Sequence, residues 1–309
     1  MDFHVCEGVM DTVTPLKISF FANIFNAILD PILIFNAGMG VTGAALATLA
    51  AEIISAVTFT YLLLNKKMIR WSKVFCIPSW TNLAPLLKGG AALQLRNFAL
   101  NITFLAVTRV TQSIDNTGVA AAAHAMAIQT FQIGGIVLLA LSTVAQTVVP
   151  NEMIEKVDGK TGKKSGGIFA AKSAVNRLMS WGFLLGIGLG LLQIILLPLL
   201  QKATPMEEVR KAALIPSYLA SIYQIMNGFV FIGEGVMVGC GNFLQLSLST
   251  VVATAGTLWA LRTFPPTYGL TGVWVSYGVF NSLRLMGVWL HQCRNGPLSP
   301  RKLKKQQNK

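Results

Sequence analysis

Eight stretches of this chain each string together about twenty or more predominantly apolar residues: 17–36, 41–64, 89–111, 118–149, 173–200, 212–238, 243–262 and 269–291. That run length is what a bilayer demands, because a helix rising about 1.5 Å per residue needs about 20 residues to cross a hydrocarbon core of roughly 30 Å. Inside that core every backbone N–H and C=O must be satisfied by the chain itself, which leaves helices or a closed barrel. The polar/apolar alternation of barrel strands is missing. The chain therefore reads as an all-α polytopic membrane protein with about eight transmembrane helices. Segments beyond the minimum length imply tilt or extension past the bilayer rather than extra spans. Of 309 residues, 53% are hydrophobic and 12% charged, too apolar a balance for a soluble domain of this size.

Two landmarks recur in register. Glu7-Gly8-Val9-Met10 returns as Glu234-Gly235-Val236-Met237, and Gly40-Val41-Thr42-Gly43 returns as Gly269-Leu270-Thr271-Gly272. Offsets of 227 and 229 residues imply an internal duplication, the mark of a two-lobed carrier. Six residues precede the first copy, whereas a long run of helices precedes the second. The expected organisation is one complete six-helix lobe plus the last two helices of a truncated first lobe. Residues 1–64 form the remnant, 65–90 a basic interfacial connector with Trp71, Phe75 and Trp80 at headgroup level, 91–292 the C-terminal lobe and 293–309 a basic tail.

The net charge of +13 does not indicate a nucleic-acid partner, because of where the cations fall. If the first helix starts in the cytoplasm, eighteen of the 25 Lys and Arg lie on cytoplasmic segments, as the positive-inside rule requires. The tail Arg301-Lys302-Leu303-Lys304-Lys305 then reads as a cytoplasmic topology anchor within reach of anionic lipid. Cys6, Cys76, Cys240 and Cys293 lack paired or metal-ligand spacing, and His4, His124 and His291 are scattered, so no metal site is expected. No nucleophile–base pair, phosphate loop or cofactor motif appears either. The expectation is not an enzyme and no cofactor.

Ionisable groups at a helix centre cost about 2.5–3.5 kcal/mol on insertion scales, so each of Asp30, Glu52 and Glu234 needs a reason. Asn26 and Asp30 are four residues apart and share a helix face, and Thr48 lies on the next span after a short turn. Carboxylate, amide and hydroxyl oxygens together suit a proton or Na⁺; the plainer account puts Asp30 at a wetted helix end before Pro31. Glu52 faces a cavity or packs against a polar neighbour. Glu234, flanked by Gly233 and Gly235, reads either as a cavity acid or as an acid near a helix end. His124 is either a proton relay or a satisfied interhelical histidine. Asn101, Gln129, Gln224 and Asn227 supply uncharged hydrogen-bonding groups, as substrate contacts or as glue between helices. Arg96 and Arg109 hint at an anionic solute. The series Gly182, Gly186, Gly190 reads as helix packing.

Several stretches resemble the multidrug and toxic compound extrusion (MATE) family, nearest its DinF-like branch of bacteria and plastids. They are Asp11-Thr12-Val13-Thr14-Pro15-Leu16, the Asn26, Leu29-Asp30-Pro31 and Leu33-Ile34-Phe35 run, Gly40-Val41 with Gly43-Ala44-Ala45, Ala121-Ala122-Ala123-His124, Ala145-Gln146-Thr147, Glu234-Gly235 and Gly269-Leu270-Thr271-Gly272-Val273-Trp274. The likeness runs from about residue 5 to 292 and implies twelve spans in two six-helix lobes, of which this chain would supply spans five to twelve. It implies cation coupling at Asn26, Asp30 and Thr48, whose usual partner Asp on span one has no counterpart here. It also implies a second-lobe cavity acid at Glu234.

The function these readings imply is secondary active efflux of a small organic or xenobiotic solute, coupled to H⁺ or Na⁺ and worked by alternating access. The solute cavity would be lined by Glu234, His124, Gln129, Asn101, Gln224 and Asn227. As written the chain would be incomplete, needing the missing N-terminal helices or a companion chain. The rival reading is a non-transporting membrane scaffold or partner subunit from a truncated gene. Its place is a membrane, either the plastid envelope or the plasma membrane.

Overall fold

The structure, a computed structural model, describes residues 13–66, 79–157, 164–202 and 204–307. The chain divides into two compact units, Met1–Leu83 and Ala84–Lys309.

The first unit is built on a hairpin of two helices, α1 (Val13–Pro31) and α2 (Gly40–Asn65). Pro31 ends α1, and the chain continues as one π-turn over Ile32–Asn36. Ile18, Phe59 and Leu63 cluster together, which sets the start of α1 against the end of α2 and makes the pair antiparallel. Lys66 Nζ donates to Thr14 Oγ1 at 2.9 Å at the same end.

The second unit holds α3 (Trp80–Gln112, from Ala84 on), α4 (Val119–Met153), α5 (Ile168–Lys202), α6 (Glu207–Gly239), α7 (Phe243–Thr263), α8 (Pro265–Leu290) and the short α9 (Pro300–Gln307). Between α4 and α5, β1 (Lys156–Val157) pairs antiparallel with β2 (Lys164–Ser165). Every apolar stretch predicted from sequence lies in one long helix. Among the described residues six helices are long and apolar enough to cross a membrane: α1 with its π-turn, α2, α4, α5, α6 and α7. The other two, α3 and α8, match them in length but contain Arg96 and Arg284.

Helix α3 begins earlier than the sequence suggests. It opens at Trp80 and runs through Pro85, because a proline near a helix start removes only an early ladder bond. Residues 80–90 of the expected connector are therefore helical, with Trp80 71% exposed at their start. Trp71 and Phe75 lie outside the described residues.

Helix α6 is the hub of the second unit, packed against α4, α5 and α8. Small residues make that closeness possible. A Cβ on Gly186 would meet the Gln224 carbonyl oxygen at 2.6 Å, and one on Gly190 the Ser221 carbonyl oxygen at 2.7 Å. The glycine series on α5 is thus a packing seam, as its spacing implied. One core cluster gathers Val107, Trp274, Tyr277 and Phe280; a second gathers Leu138, Val149, Val175 and Ile232.

The duplication is visible in the backbone. Gly40 and Gly269 both take positive φ, +55° and +54°, a conformation that favours glycine. Gly43 and Gly272 then press on the chain just before them: a Cβ would lie 2.7 Å from the Leu33 carbonyl and 2.5 Å from the Phe264 carbonyl oxygen. Each copy is the same device, a tight re-entry into a new helix. The Glu7-Gly8-Val9-Met10 copy lies outside the described residues.

Candidate functional site

The hairpin of α1 and α2 carries a polar groove of about 360 Å³. Ser19, Asn23 and Asn26 face it from α1; Thr48, Glu52 and Ser55 face it from α2. Helical spacing explains the sets, since residues three, four and seven apart share a face. Thr48 Oγ1 donates its only proton to the Ala44 carbonyl oxygen at 3.0 Å, so its lone pairs stay available as acceptors. Asn26 Oδ1 and Asp30 Oδ1 are closed off from solvent, with no hydrogen-bond partner among the described residues. Six oxygen-bearing side chains thus meet in one groove, Asn26, Thr48 and Glu52 among them. Asp30 stands one turn beyond Asn26, outside the lining. Glu52, which the sequence left between cavity and core, is exposed on the groove.

In the second unit a cavity of about 410 Å³ lies between α3 and α4. Its walls include Phe104, Thr108, Thr111, Gln112, His124 and Gln132, with no formally charged side chain. His124 is 7% exposed, its ring centroid is 5.8 Å from that of Trp274, and its Nδ1 has no partner among the described residues.

Of the six residues expected to share a solute cavity, His124 alone lines this one. Gln224 and Asn227 are fully buried, and Gln224 ties α6 to α4 while Asn227 bonds within α6. Gln224 Nε2 donates to the Phe131 carbonyl oxygen at 2.8 Å, and Asn227 Nδ2 donates to Gln224 Oε1 at 3.1 Å. The glue reading fits the geometry of Gln224, whereas Asn227 Oδ1 is buried with no partner among the described residues. Asn101 and Gln129 are exposed and stand off the cavity.

Glu234 is 5% exposed and does not line this cavity. Its carboxylate accepts from Arg284 Nε and Nη2, both at 2.8 Å, and from Arg96 Nη2 at 2.6 Å. The Arg284 guanidinium carbon sits 5.5 Å from the Phe231 ring centroid and 5.2 Å from that of Phe280. Two guanidiniums on one buried carboxylate make it a structural tie between α3, α6 and α8. The sequence held the signal, two arginines and one acid in apolar spans that each need a partner. It could not show that these three helices converge.

An all-helical bundle with a duplicated re-entry device and polar recesses set among apolar helices is a multi-pass integral membrane protein. No family model matches the chain. DETOXIFICATION 44, chloroplastic, of Arabidopsis thaliana is 28% identical over 293 residues, covering 94% of this chain and 53% of that protein. The "probable multidrug resistance protein NorM" of Thermotoga maritima is 22% identical over 286 residues, covering 87% and 57%. The crystal structure of "MATE in the straight conformation" superposes with a TM-score of 0.81 at 18% identity, over 96% of this chain and 66% of that one, a likeness of fold. Over nearly its whole length the chain is thus similar to proteins of the MATE type. It spans about half the length of the curated relatives it matches.

Proposed function

We propose that this chain works in a cation-coupled antiporter that exports a small organic solute by alternating access. The observation that carries the reading is the pair of orphaned oxygens, Asn26 Oδ1 and Asp30 Oδ1, beside a groove that also presents Thr48 and Glu52. Hard oxygen donors around a carboxylate are what a proton or Na⁺ takes.

Coupling follows from electrostatics. While the groove is wet, the exposed Glu52 carboxylate that lines it is hydrated. Closing it strips that water, at about 2.5–3.5 kcal/mol per acid on insertion scales, unless a cation neutralises the charge. One such acid supplies roughly half of the about 5.5 kcal/mol that swings a two-state equilibrium from 1:99 to 99:1. Cation binding at Glu52, with Asp30 one turn beyond the lining, therefore biases the facing of the protein. The uncharged cavity at His124 is the recess we assign to the solute. The name of the Arabidopsis relative, chloroplastic, favours the plastid envelope over the plasma membrane.

The test is export of a fluorescent organic solute from vesicles carrying the protein, after imposing a proton or a sodium gradient. Gradient-driven export that is lost in Asp30→Asn and reduced in Glu52→Gln supports the reading. Absence of gradient-driven movement, with the protein folded and inserted, favours the scaffold or partner-subunit alternative.

A further inference from the structure

Helices α7 and α8 enclose a groove of about 390 Å³ on the outer face of the second unit. Leu244, Leu248 and Val252 form one wall, Leu283, Met286 and Leu290 the other. Four of these are at least half exposed: Leu244 63%, Leu248 51%, Val252 56% and Met286 50%. The floor is narrow because a Cβ on Gly287 would meet Ser249 Cβ at 2.7 Å. From Leu244 to Val252 the wall rises about 12 Å, most of the roughly 15 Å depth of one leaflet's hydrocarbon. In a multi-pass protein, such an apolar slot running along the spans faces acyl chains.

One end of the slot is polar and cationic. Gln245 and Asn295 line it there, and Lys302 Nζ donates to the Asn295 carbonyl oxygen at 3.0 Å. Arg294, Arg301 and Lys304 are exposed at the same end of the chain. Lys172 and Lys302 both act electrostatically on His291, which hydrogen-bonds to Gln245. No acid occurs anywhere from His291 to Lys309. These cations are held in place. Leu298, 2% exposed, inserts among Leu138, Val149, Val175 and Ile232, and Ser299 is fully buried, so the start of α9 is fixed to the body of the unit.

We propose that the α7–α8 groove, with α9 at its end, is a binding site for a membrane phospholipid bearing an anionic headgroup. One acyl chain lies in the slot against Leu248 and Met286, and the phosphate is held by Lys302 and its neighbouring cations. The occupant follows from charge complementarity, since an apolar slot one leaflet deep ends in lysine and arginine without a counter-charge in the tail. This site is separate from the cation groove and the His124 cavity and does not depend on the transport reading.

The test is native mass spectrometry of the intact protein released from bilayers of phosphatidylglycerol and phosphatidylcholine, with equal mole fractions and matched acyl chains. Each cation near an anionic surface contributes roughly fivefold to binding. Wild type is expected to retain phosphatidylglycerol at least tenfold over phosphatidylcholine. Replacing Arg301, Lys302 and Lys304 by Gln should abolish the preference while some lipid of either kind remains. Leu248→Trp with Met286→Trp, which fills the slot, should lower retention of both lipids, with unchanged thermal unfolding as the folding control. Equal retention by wild type, a preference that survives the triple replacement, or dimers that the tryptophan variants dissolve would each overturn the proposal.

Discussion

The guanidinium of Arg284 meets the carboxylate of Glu234 edge to edge, Nε to Oε1 and Nη2 to Oε2, both at 2.8 Å. Arg96 closes the same carboxylate from α3, and all three residues are mostly or wholly buried. Breaking such a buried pair from one side leaves an uncompensated charge and costs about 3–5 kcal/mol. Glu234→Ala should therefore lower thermal stability in detergent by an amount of that order. Joint replacement of Glu234, Arg284 and Arg96 by Met, which leaves no charge of the trio unpaired, should recover most of it. Wild-type unfolding by Glu234→Ala would show that the tie does not hold these helices.

Gly186 and Gly228 sit where α5 and α6 approach most closely. Gly228 abuts the Gly182 carbonyl oxygen, leaving no room for a side chain on either helix. Overpacking of a filled core costs about 1–3 kcal/mol per insertion. Gly186→Leu should thus give poorly folded or aggregated protein by size-exclusion chromatography. Gly188→Leu, at a position with open space around it, should be tolerated.

Asp115 shapes the turn between α3 and α4. Its carboxylate accepts from Ala120 N at 2.8 Å, Thr117 Oγ1 at 3.0 Å and Gly118 N at 2.7 Å. The bond from Ala120 N is the main reason its carboxyl is held below the usual carboxylate range, and desolvation opposes it. A depressed folded value means that this stabilisation is present above the ordinary carboxylate pKa and lost as pH falls through the lower folded one. Protection of the Gly118 and Ala120 amides, normalised for intrinsic exchange, should therefore persist near neutrality and fall away in acid. In Asp115→Ala it should be low at every pH.

Within the proposed cation site Thr48 is the residue whose removal changes least else, since its proton goes to Ala44 and its side chain lines the groove. Thr48→Val keeps the shape and removes the acceptor. Loss of one oxygen donor, about 1–3 kcal/mol, should weaken coupling-cation affinity by about fivefold or more, measured as the ion concentration for half-maximal transport. Thr48→Ser should restore it.

Long apolar runs made all eight principal helices legible in the sequence, because bilayer thickness dictates their length. The seam at Gly182, Gly186 and Gly190 was legible for a similar reason, since its spacing repeats a helical face. The start of α3 was not, because Pro85 and the aromatic residues around it look like a break until the helix is seen to run through them. Glu234 was misplaced because its environment depends on Arg96 and Arg284, which are 138 and 50 residues away in sequence. Glu52 was undecided for the same cause: which face of α2 meets α1 is a property of packing, not of local pattern.

The central claim is that the α1–α2 groove binds the coupling cation. It is tested most directly by solid-supported membrane electrophysiology, on bilayers carrying the protein and given a rapid jump in proton or sodium concentration without any solute. The account predicts a charge-displacement current in wild type, diminished in Glu52→Gln and abolished in the double Asp30→Asn, Glu52→Gln variant. Currents of equal size in wild type and the double variant would contradict it.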